Sequence, residues 1–278
     1  MNIAVTGAAG FVGRHVLAEL EKYSVDVVAI TRKPLDLPVH PRRNVVQLDL
    51  QDISYDTFGL LGNPDVLIHL AWGGLPNYGS LHHFEKELPE HYRFLNCLIK
   101  SGLRCLVVAG TCFEYGMQSG ALKEGIDTHP STPYGYAKDA LRRQLEFLQC
   151  KDQFSLIWGR LFYLYGDGQA DTSLFSQLRK AVESGKGGFN MSGGEQLRDY
   201  LPVADAAKIL VSLALQKRNI GVVNVCSGKP VSVRKLVEGF VETNKWKIDL
   251  NLGHYPYPDY EPMVFWGDRS KLENNVTP

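Results

Sequence analysis

No stretch of this 278-residue sequence approaches the roughly eighteen uninterrupted apolar residues that a bilayer-spanning helix requires, which excludes a helical membrane protein. No run of like charge is longer than two, as at Arg42–Arg43 and Arg142–Arg143, and 30 basic residues offset 30 acidic ones. A nucleic acid is therefore not expected as partner. Cysteine is sparse: the five, at 97, 105, 112, 150 and 226, are odd in number, widely spaced and form no CxxC pair. That pattern favours neither a zinc site nor a disulfide framework, and no metal is expected. The opening MNIAVTG has neither the basic segment nor the apolar stretch of a secretory signal, so a cytoplasmic location is expected. What the chain does have is 44% apolar residues, enough for the core of one large domain or of a main domain with a small companion.

Short apolar runs alternate with helical patterns along most of the chain. The runs Ile3–Thr6, Val25–Thr31, Val45–Leu48, Val66–Leu70, Leu103–Ala109, Ser155–Leu161 and Val222–Val225 are nearly continuously apolar, as strands buried on both faces are. Helices are expected over Phe11–Lys22, Leu88–Ser101, Tyr134–Cys150 and Val203–Gln216. The alternation predicts a Rossmann-like α/β fold, a doubly wound parallel sheet. After Leu161 the rhythm weakens into GDGQADTS, a helical piece to Ser184 and GKGGFNMSGG; later come a helix over Val231–Asn244 and the tail HYPYPDYEP. Two interleaved parts are expected. Residues 1–165 plus 201–227 form the dinucleotide-binding domain, and 166–200 plus 228–278 form a small substrate-binding part, with a cleft between them.

The first strand runs into TGAAGFVG, placing Gly7, Gly10 and Gly13 three residues apart at a strand-to-helix turn, with Phe11 and Val12 opening the helix. Glycines there let the backbone turn and approach a pyrophosphate while the helix N-terminus faces its charge, so these five residues are assigned to a dinucleotide. About twenty residues further on, an acidic residue would accept from the ribose 2′-hydroxyl of NAD. The sequence offers VVAITRKP instead, and Arg32 matches a 2′-phosphate, which favours NADPH (NADP), with NADH as the alternative. A solvated basic loop is the competing reading. Asp49 and Leu50 follow the third strand, where a carboxylate can accept from the adenine amino group, although an exposed turn carboxylate reads the same way. In HLAW, Leu70 and the small Ala71 let backbone lie near the cofactor beside Trp72, which also reads as a core or rim aromatic.

In STPYGYAK, Ser131 or Thr132 can cap a helix that starts at Pro133, with Ala137, Leu141, Leu145 and Leu148 as its buried stripe. Tyr134 and Lys138 then lie one turn apart on one side, and Tyr136 is turned away. An ammonium at i+4 is expected to lower the phenol pKa and make Tyr134 a general acid for a carbonyl oxygen that receives hydride at carbon. A half-buried tyrosine over an exposed lysine is the plainer account. The fifth strand, ending in VVAGTCFEYG, delivers Thr111 to the carboxyl edge, where open α/β sheets bind ligands and where its hydroxyl can bond the same oxygen.

With TGAAGFVG, DVLIHLAW, GTCFEYG, PYGYAK, GRLFYLYG, QLRDYLPVADAA and VVNVCSGKPVSV in order, the chain resembles the extended short-chain dehydrogenase/reductase superfamily, in its nucleotide-sugar epimerase, dehydratase and reductase branch. The resemblance implies a Thr111/Tyr134/Lys138 triad, with Lys138 also holding the nicotinamide ribose. It implies a nucleotide-diphosphate sugar as substrate with Arg198 near the diphosphate. It also implies a homodimer formed through the helices at Leu88–Ser101 and Tyr134–Cys150. Without it, Arg198 before Asp199 reads as a local ion pair.

Departures from the family pattern narrow the expectation. Dehydratases of this branch follow the threonine with Asp and Glu. Here Cys112 and Phe113 stand in those places beside the substrate, so water loss is not expected, and Glu114 comes one position later. Tyr163 replaces an asparagine found near the sugar or diphosphate in many relatives. FWGD replaces RPGD, so the phosphate grip is expected to be remade in part by Arg269 or Lys271. The combination is similar to NDP-4-keto-6-deoxyhexose 4-reductases of the dTDP-4-dehydro-6-deoxyglucose reductase and CDP-abequose synthase type. It implies NADPH-dependent reduction of the C4 ketone, with dTDP-4-dehydro-6-deoxy-D-glucose going to dTDP-D-fucose. The alternatives are an NDP-hexose 4-epimerase with tightly bound NAD and a non-catalytic dinucleotide sensor on the same fold.

Overall fold

The computed structural model describes all residues except 35, 36, 38, 55, 277 and 278, so the last two positions of the expected substrate-binding part lie outside the described residues. The chain begins β1 (Asn2–Thr6), α1 (Phe11–Leu20), β2 (Asp26–Thr31), β3 (Arg43–Gln47), α2 (Thr57–Leu60) and β4 (Val66–His69). It continues through α3 (Leu88–Lys100), β5 (Cys105–Thr111), β6 (Gly120–Leu122), α4 (Pro133–Gln149), β7 (Ser155–Leu161) and β8 (Tyr163–Tyr165). Next come α5 (Leu174–Glu183), β9 (Gly188–Asn190), β10 (Leu197–Pro202), α6 (Val203–Gln216) and β11 (Gly221–Val225). Last are β12 (Pro230–Ser232), α7 (Val233–Thr243), β13 (Asp249–Asn251), β14 (Phe265–Gly267) and α8 (Ser270–Glu273).

The seven expected strands form one parallel sheet in the order β11-β7-β5-β4-β1-β2-β3. Strand side chains alternate between two cores, which is why the runs are apolar throughout. Ile3, Val5, Ile68 and Val107 face the layer of α1 and α6, packing with Val16, Leu20, Leu210 and Leu213. Ala4, Leu67, Leu106 and Val108 face α3 and α4, packing with Phe94, Leu98, Leu141 and Leu145. The strand order reverses between β1 and β4, and it is outside the carboxyl ends at such a switch point that open α/β sheets bind ligands. β5 begins and ends two residues later than its apolar pattern suggests, which carries Thr111 to the strand's last position.

A third core joins α5 and α7 through Phe175, Leu178, Val233 and Val237, with Phe189 and Met191 from the chain around β9. Around it lie a three-stranded sheet β12-β10-β8 and the pair β13-β9. Separately, β14 pairs with β6 and so returns the tail to the strand after the Thr111 loop. Among the described residues no helix is long and apolar enough to cross a membrane.

Candidate active site

Gly7 has φ +66°, and a Cβ placed on it would lie 2.8 Å from the Ala71 amide nitrogen. One on Gly13 would lie 2.1 Å from the Gly7 carbonyl oxygen. The turn therefore closes only with glycine, and Gly10 caps α1 without offering a side chain to its first amides. Bare backbone facing an uncapped helix N-terminus fits the pyrophosphate of a dinucleotide. Phe11 and Val12 are half-buried beside it. Arg32 is exposed just beyond β2, and Asp49 turns one carboxylate oxygen back onto the Gln51 amide at 3.2 Å. Leu70 packs on the α1 side of the sheet, and Leu50 and Trp72 pack on the other.

Thr132 is the cap of α4, accepting from the Gly135 amide at 3.1 Å, and Pro133 is its first residue. The helix buries Tyr134 to 8% exposure and leaves Tyr136 at 54%, so the two tyrosines separate as their spacing requires. Rings of Trp72, Tyr78, His83 and Phe113 surround the Tyr134 ring at centroid distances of 6.2, 5.5, 5.2 and 6.2 Å. Thr111, at the end of β5, lies beside the same ring, and its hydroxyl eases ionisation of the phenol while accepting from the Phe113 amide at 3.3 Å. One expectation is corrected. Burial pushes the Tyr134 phenol well above its ordinary value, only partly opposed by the neighbouring Thr111 side chain, so the pKa is not lowered toward neutrality. Lys138 is not among the groups that shift the phenol; its ammonium donates to the Ala109 carbonyl at 2.9 Å and lies 3.8 Å over the Trp72 ring. Burial lowers the Lys138 pKa to about 7, against the attraction of Glu114 and Glu87.

Cys112 and Phe113 follow Thr111 in a short 3-10 turn. Burial pushes the Cys112 thiol well up, so it stays protonated. Glu114 is engaged inside the chain. Its carboxylate accepts from the Thr111 amide at 2.8 Å, the Trp158 indole at 2.8 Å and the Arg160 guanidinium at 2.7 Å, and the residue is fully buried. It is a strut for the Thr111 turn and holds no position from which to move a substrate proton.

A buried chain of histidines was not legible in the sequence. The β1–β4 register pairs Thr6 with His69, and Thr6 Oγ1 lies 2.8 Å from His69 Nδ1. His69 Nε2 lies 2.7 Å from His91 Nδ1, and His91 Nε2 lies 3.0 Å from Glu87. Glu87 also accepts from His82 at 2.8 Å and from the Gly73 amide at 2.7 Å. A carboxylate only accepts, so His91 donates from Nε2; with both rings neutral, as burial favours, His69 then donates from Nε2 to His91 and Thr6 from its hydroxyl to His69. Trp72 stacks on His91 at 4.6 Å and donates to His83 Nδ1 at 3.1 Å, so this chain holds the ring beneath Lys138.

Burial lowers the pKa of His69 well below 6.5 and also lowers that of His91. Burial alone would raise Glu87, but the hydrogen bonds from His91, Gly73 and His82 prevail and hold it at about 2. All three folded-state values lie below the unfolded ones, so their stabilisation is present at higher pH and is lost as pH falls. The share of the urea midpoint that the histidines and Glu87 supply is expected to be constant above 6.5 and to drop progressively below it, with a second loss from 4.5 toward 2 as Glu87 protonates, while Lys138, lowered from 10.5 to about 7, adds a separate rise in stability between those two values. A midpoint flat from pH 7.5 to 5.5 would contradict this.

On the opposite wall, Arg198 is fully buried and its Nη2 lies 2.9 Å from Glu261 Oε1, while Tyr163 donates to the other oxygen of Glu261. Neighbouring Asp199 accepts from the amides of Ser227 and Gly228 at 2.7 and 2.9 Å and makes no ion pair with Arg198 among the described residues. Arg269 donates to the Cys226 carbonyl and Lys271 to the Val222 carbonyl, so neither joins Arg198.

A doubly wound sheet with a glycine turn at its switch point is the frame of the dinucleotide-binding class of enzymes. Residues 3–226 match the model of the NAD dependent epimerase/dehydratase family, and the chain belongs to that family. It is similar to a dTDP-6-deoxy-L-talose 4-dehydrogenase (NAD(+)) of Aggregatibacter actinomycetemcomitans, at 32% identity over 96% of this chain and 99% of the relative. A GDP-6-deoxy-D-talose 4-dehydrogenase of the same organism is 24% identical over 99% of this chain and 90% of its own. Among solved structures, MoeE5 in complex with UDP-glucuronic acid and NAD superposes with TM-score 0.84 and 27% identity, covering 99% of this chain and 92% of its own. The protein is an enzyme of the nucleotide-sugar epimerase and dehydrogenase group and depends on a nicotinamide dinucleotide.

Proposed function

We propose that the protein reduces the C4 ketone of a nucleoside diphosphate 4-keto-6-deoxyhexose with NADPH, dTDP-4-dehydro-6-deoxy-D-glucose being the favoured substrate. The observation that carries this reading is the meeting of Thr111 and Tyr134 at one buried point while Glu114 is sealed beneath it. One proton donor serves an oxygen there, with no acid–base pair in the places that water loss would use. The relatives named for 6-deoxytalose act, by those names, at carbon 4 of dTDP- and GDP-linked 6-deoxy sugars, which supports both the position and the sugar class.

A bound nicotinamide supplies the hydride. Tyr134 gives its proton to the C4 oxygen, and Thr111 orients that oxygen. Burial keeps Tyr134 protonated at neutral pH, so its proton is in place for the C4 oxygen in the reductive direction. Lys138, fixed over Trp72 and donating to the Ala109 carbonyl, would hold the nicotinamide ribose. Gly7, Gly10, Phe11, Val12 and Gly13 would hold the pyrophosphate, and Arg32 would hold a 2′-phosphate. Asp49, Leu50, Leu70, Ala71 and Trp72 would line the adenosine and nicotinamide ends. Residues 166–200 plus 228–278 would carry the nucleotide sugar. Two copies would pair through α3 and α4, where Tyr136 and Phe147 are exposed.

The reading is tested by offering NADPH with dTDP-, CDP- and GDP-4-keto-6-deoxy sugars: one NADPH is expected to be consumed per ketone. Non-exchanging NAD on the purified protein, with interconversion of 4-hydroxy sugars and no NADPH consumption, would make it an epimerase. Arg32→Asp is expected to lower the NADPH/NADH ratio of kcat/KM by roughly ten- to a hundredfold, the size of a lost charge-assisted hydrogen bond. An unmoved ratio would return Arg32 to a solvated loop.

A further inference from the structure

Arg198 is the residue expected at the substrate's diphosphate, yet its guanidinium is already engaged inside the chain. Nη1 donates to the carbonyls of Leu197 at 2.9 Å and Met263 at 3.1 Å, and the group lies 4.6 Å from the Phe265 ring centroid. Nη2 takes Glu261, and the buried Nε has no hydrogen-bond partner among the described residues. The Glu261 side chain is only 9% exposed, with a guanidinium at one oxygen and the Tyr163 phenol at the other. These are the contacts a phosphate oxygen would seek at this place.

Glu261 belongs to the irregular segment between β13 and β14. Its neighbour Tyr260 faces the rings of Tyr78 at 6.2 Å and Phe113 at 6.1 Å, two walls of the Tyr134 pocket. The Tyr260 carbonyl accepts from Ser131 at 3.1 Å, next to the α4 cap. The Glu261 carboxylate thus holds this strap against both the arginine and the aromatic rim.

We propose that Glu261 is an internal competitor for the substrate's diphosphate, a specificity-determining residue whose carboxylate Arg198 exchanges for a phosphate oxygen as the strap bearing Tyr260 lets go. The inference rests on the reading of the substrate as a nucleoside diphosphate sugar. A phosphate arriving at the Nη2 that Glu261 occupies would meet that carboxylate's charge in a buried place, so the exchange has Glu261 leave. A ligand with a diphosphate and further contacts can drive that exchange, whereas a weak single anion is refused.

The test is calorimetric binding of dTDP, UDP and inorganic pyrophosphate to the full chain, to Glu261→Gln, and to Glu242→Gln as an exposed control. Glutamine preserves the packing: its oxygen can accept from Arg198 and its amide can donate to the Tyr163 oxygen, since a phenol both donates and accepts. Glu261→Gln is expected to bind all three probes roughly tenfold more tightly, a gain of the order of one charge-assisted contact. The double variant Glu261→Gln/Arg198→Gln is expected to lose that gain. Unchanged or weaker binding by a Glu261→Gln protein that melts as the parent does would overturn the proposal, as would an equal gain in Glu242→Gln. Should Glu261→Gln fail to fold, Tyr163→Phe removes the carboxylate's other anchor and is expected to give a smaller gain in the same direction; no gain there overturns the proposal. Binding of the nucleotides to none of the proteins overturns the substrate reading itself, and the proposal with it.

Discussion

Tyr134→Phe is expected to cut turnover of the C4 ketone by roughly a hundred- to ten-thousandfold, the range for loss of a general acid, while dinucleotide affinity stays close to that of the parent. The separation follows from geometry. The ring of Tyr134 packs among Trp72, Tyr78, His83 and Phe113, and phenylalanine keeps those contacts. Only the hydroxyl beside Thr111 is removed, and in the proposed reaction it acts when charge develops on the C4 oxygen. The checks are single-turnover NADPH oxidation and NADPH titration by fluorescence. Turnover within a factor of a few of the parent would remove Tyr134 from the chemistry. An equal loss of cofactor binding would make its role structural.

The second large effect is on stability. Glu114→Ala removes the carboxylate that pairs with Arg160, accepts from Trp158 and caps the turn at Thr111, leaving a guanidinium that is 1% exposed with no opposite charge in contact among the described residues. Breaking one side of a buried pair costs about 3–5 kcal/mol. For a chain of this size that is a fall of roughly 6–20 °C in Tm. Because Thr111 loses its amide anchor, turnover is expected to fall as well, even at temperatures where the variant is folded. Replacing both members together, as Glu114→Met/Arg160→Met, is expected to restore part of the stability, since no lone charge is then buried. A Tm within about 2 °C of the parent for the single variant would show that Glu114 is no strut.

Elements with a local period were readable. The seven strands of the main sheet announced themselves as apolar runs, and α4 by its cap, its proline and its stripe of leucines, so Tyr134 and Lys138 fell on one side by helical spacing alone. The small strands β6, β8, β9, β12, β13 and β14 are three residues each, too short for any pattern to rise above its surroundings. Contacts between residues distant in the chain were also beyond reach. Glu114 meets Arg160 across 46 positions, His69 meets His91 across 22, and Tyr163 meets Glu261 across 98. Each depends on how the layers pack, which no local rule encodes. A signal did exist: a histidine inside VLIHL and an arginine inside SLIWGRL are polar groups in strands buried on both faces, and such groups demand partners. The expected phenol–ammonium pairing failed for the converse reason, because i+4 spacing brings two side chains to one face without deciding what each then contacts.

The measurement that bears most directly on the central claim is transfer from NADPH deuterated at nicotinamide C4, on the transferable face, to a dTDP-4-keto-6-deoxy sugar, followed by NMR of the product. The reductase reading predicts deuterium at sugar C4 in a single configuration, with one NADP⁺ formed per product. Unoxidised NADPH and a 4-hydroxy sugar inverted at C4 by protein-bound NAD would contradict it.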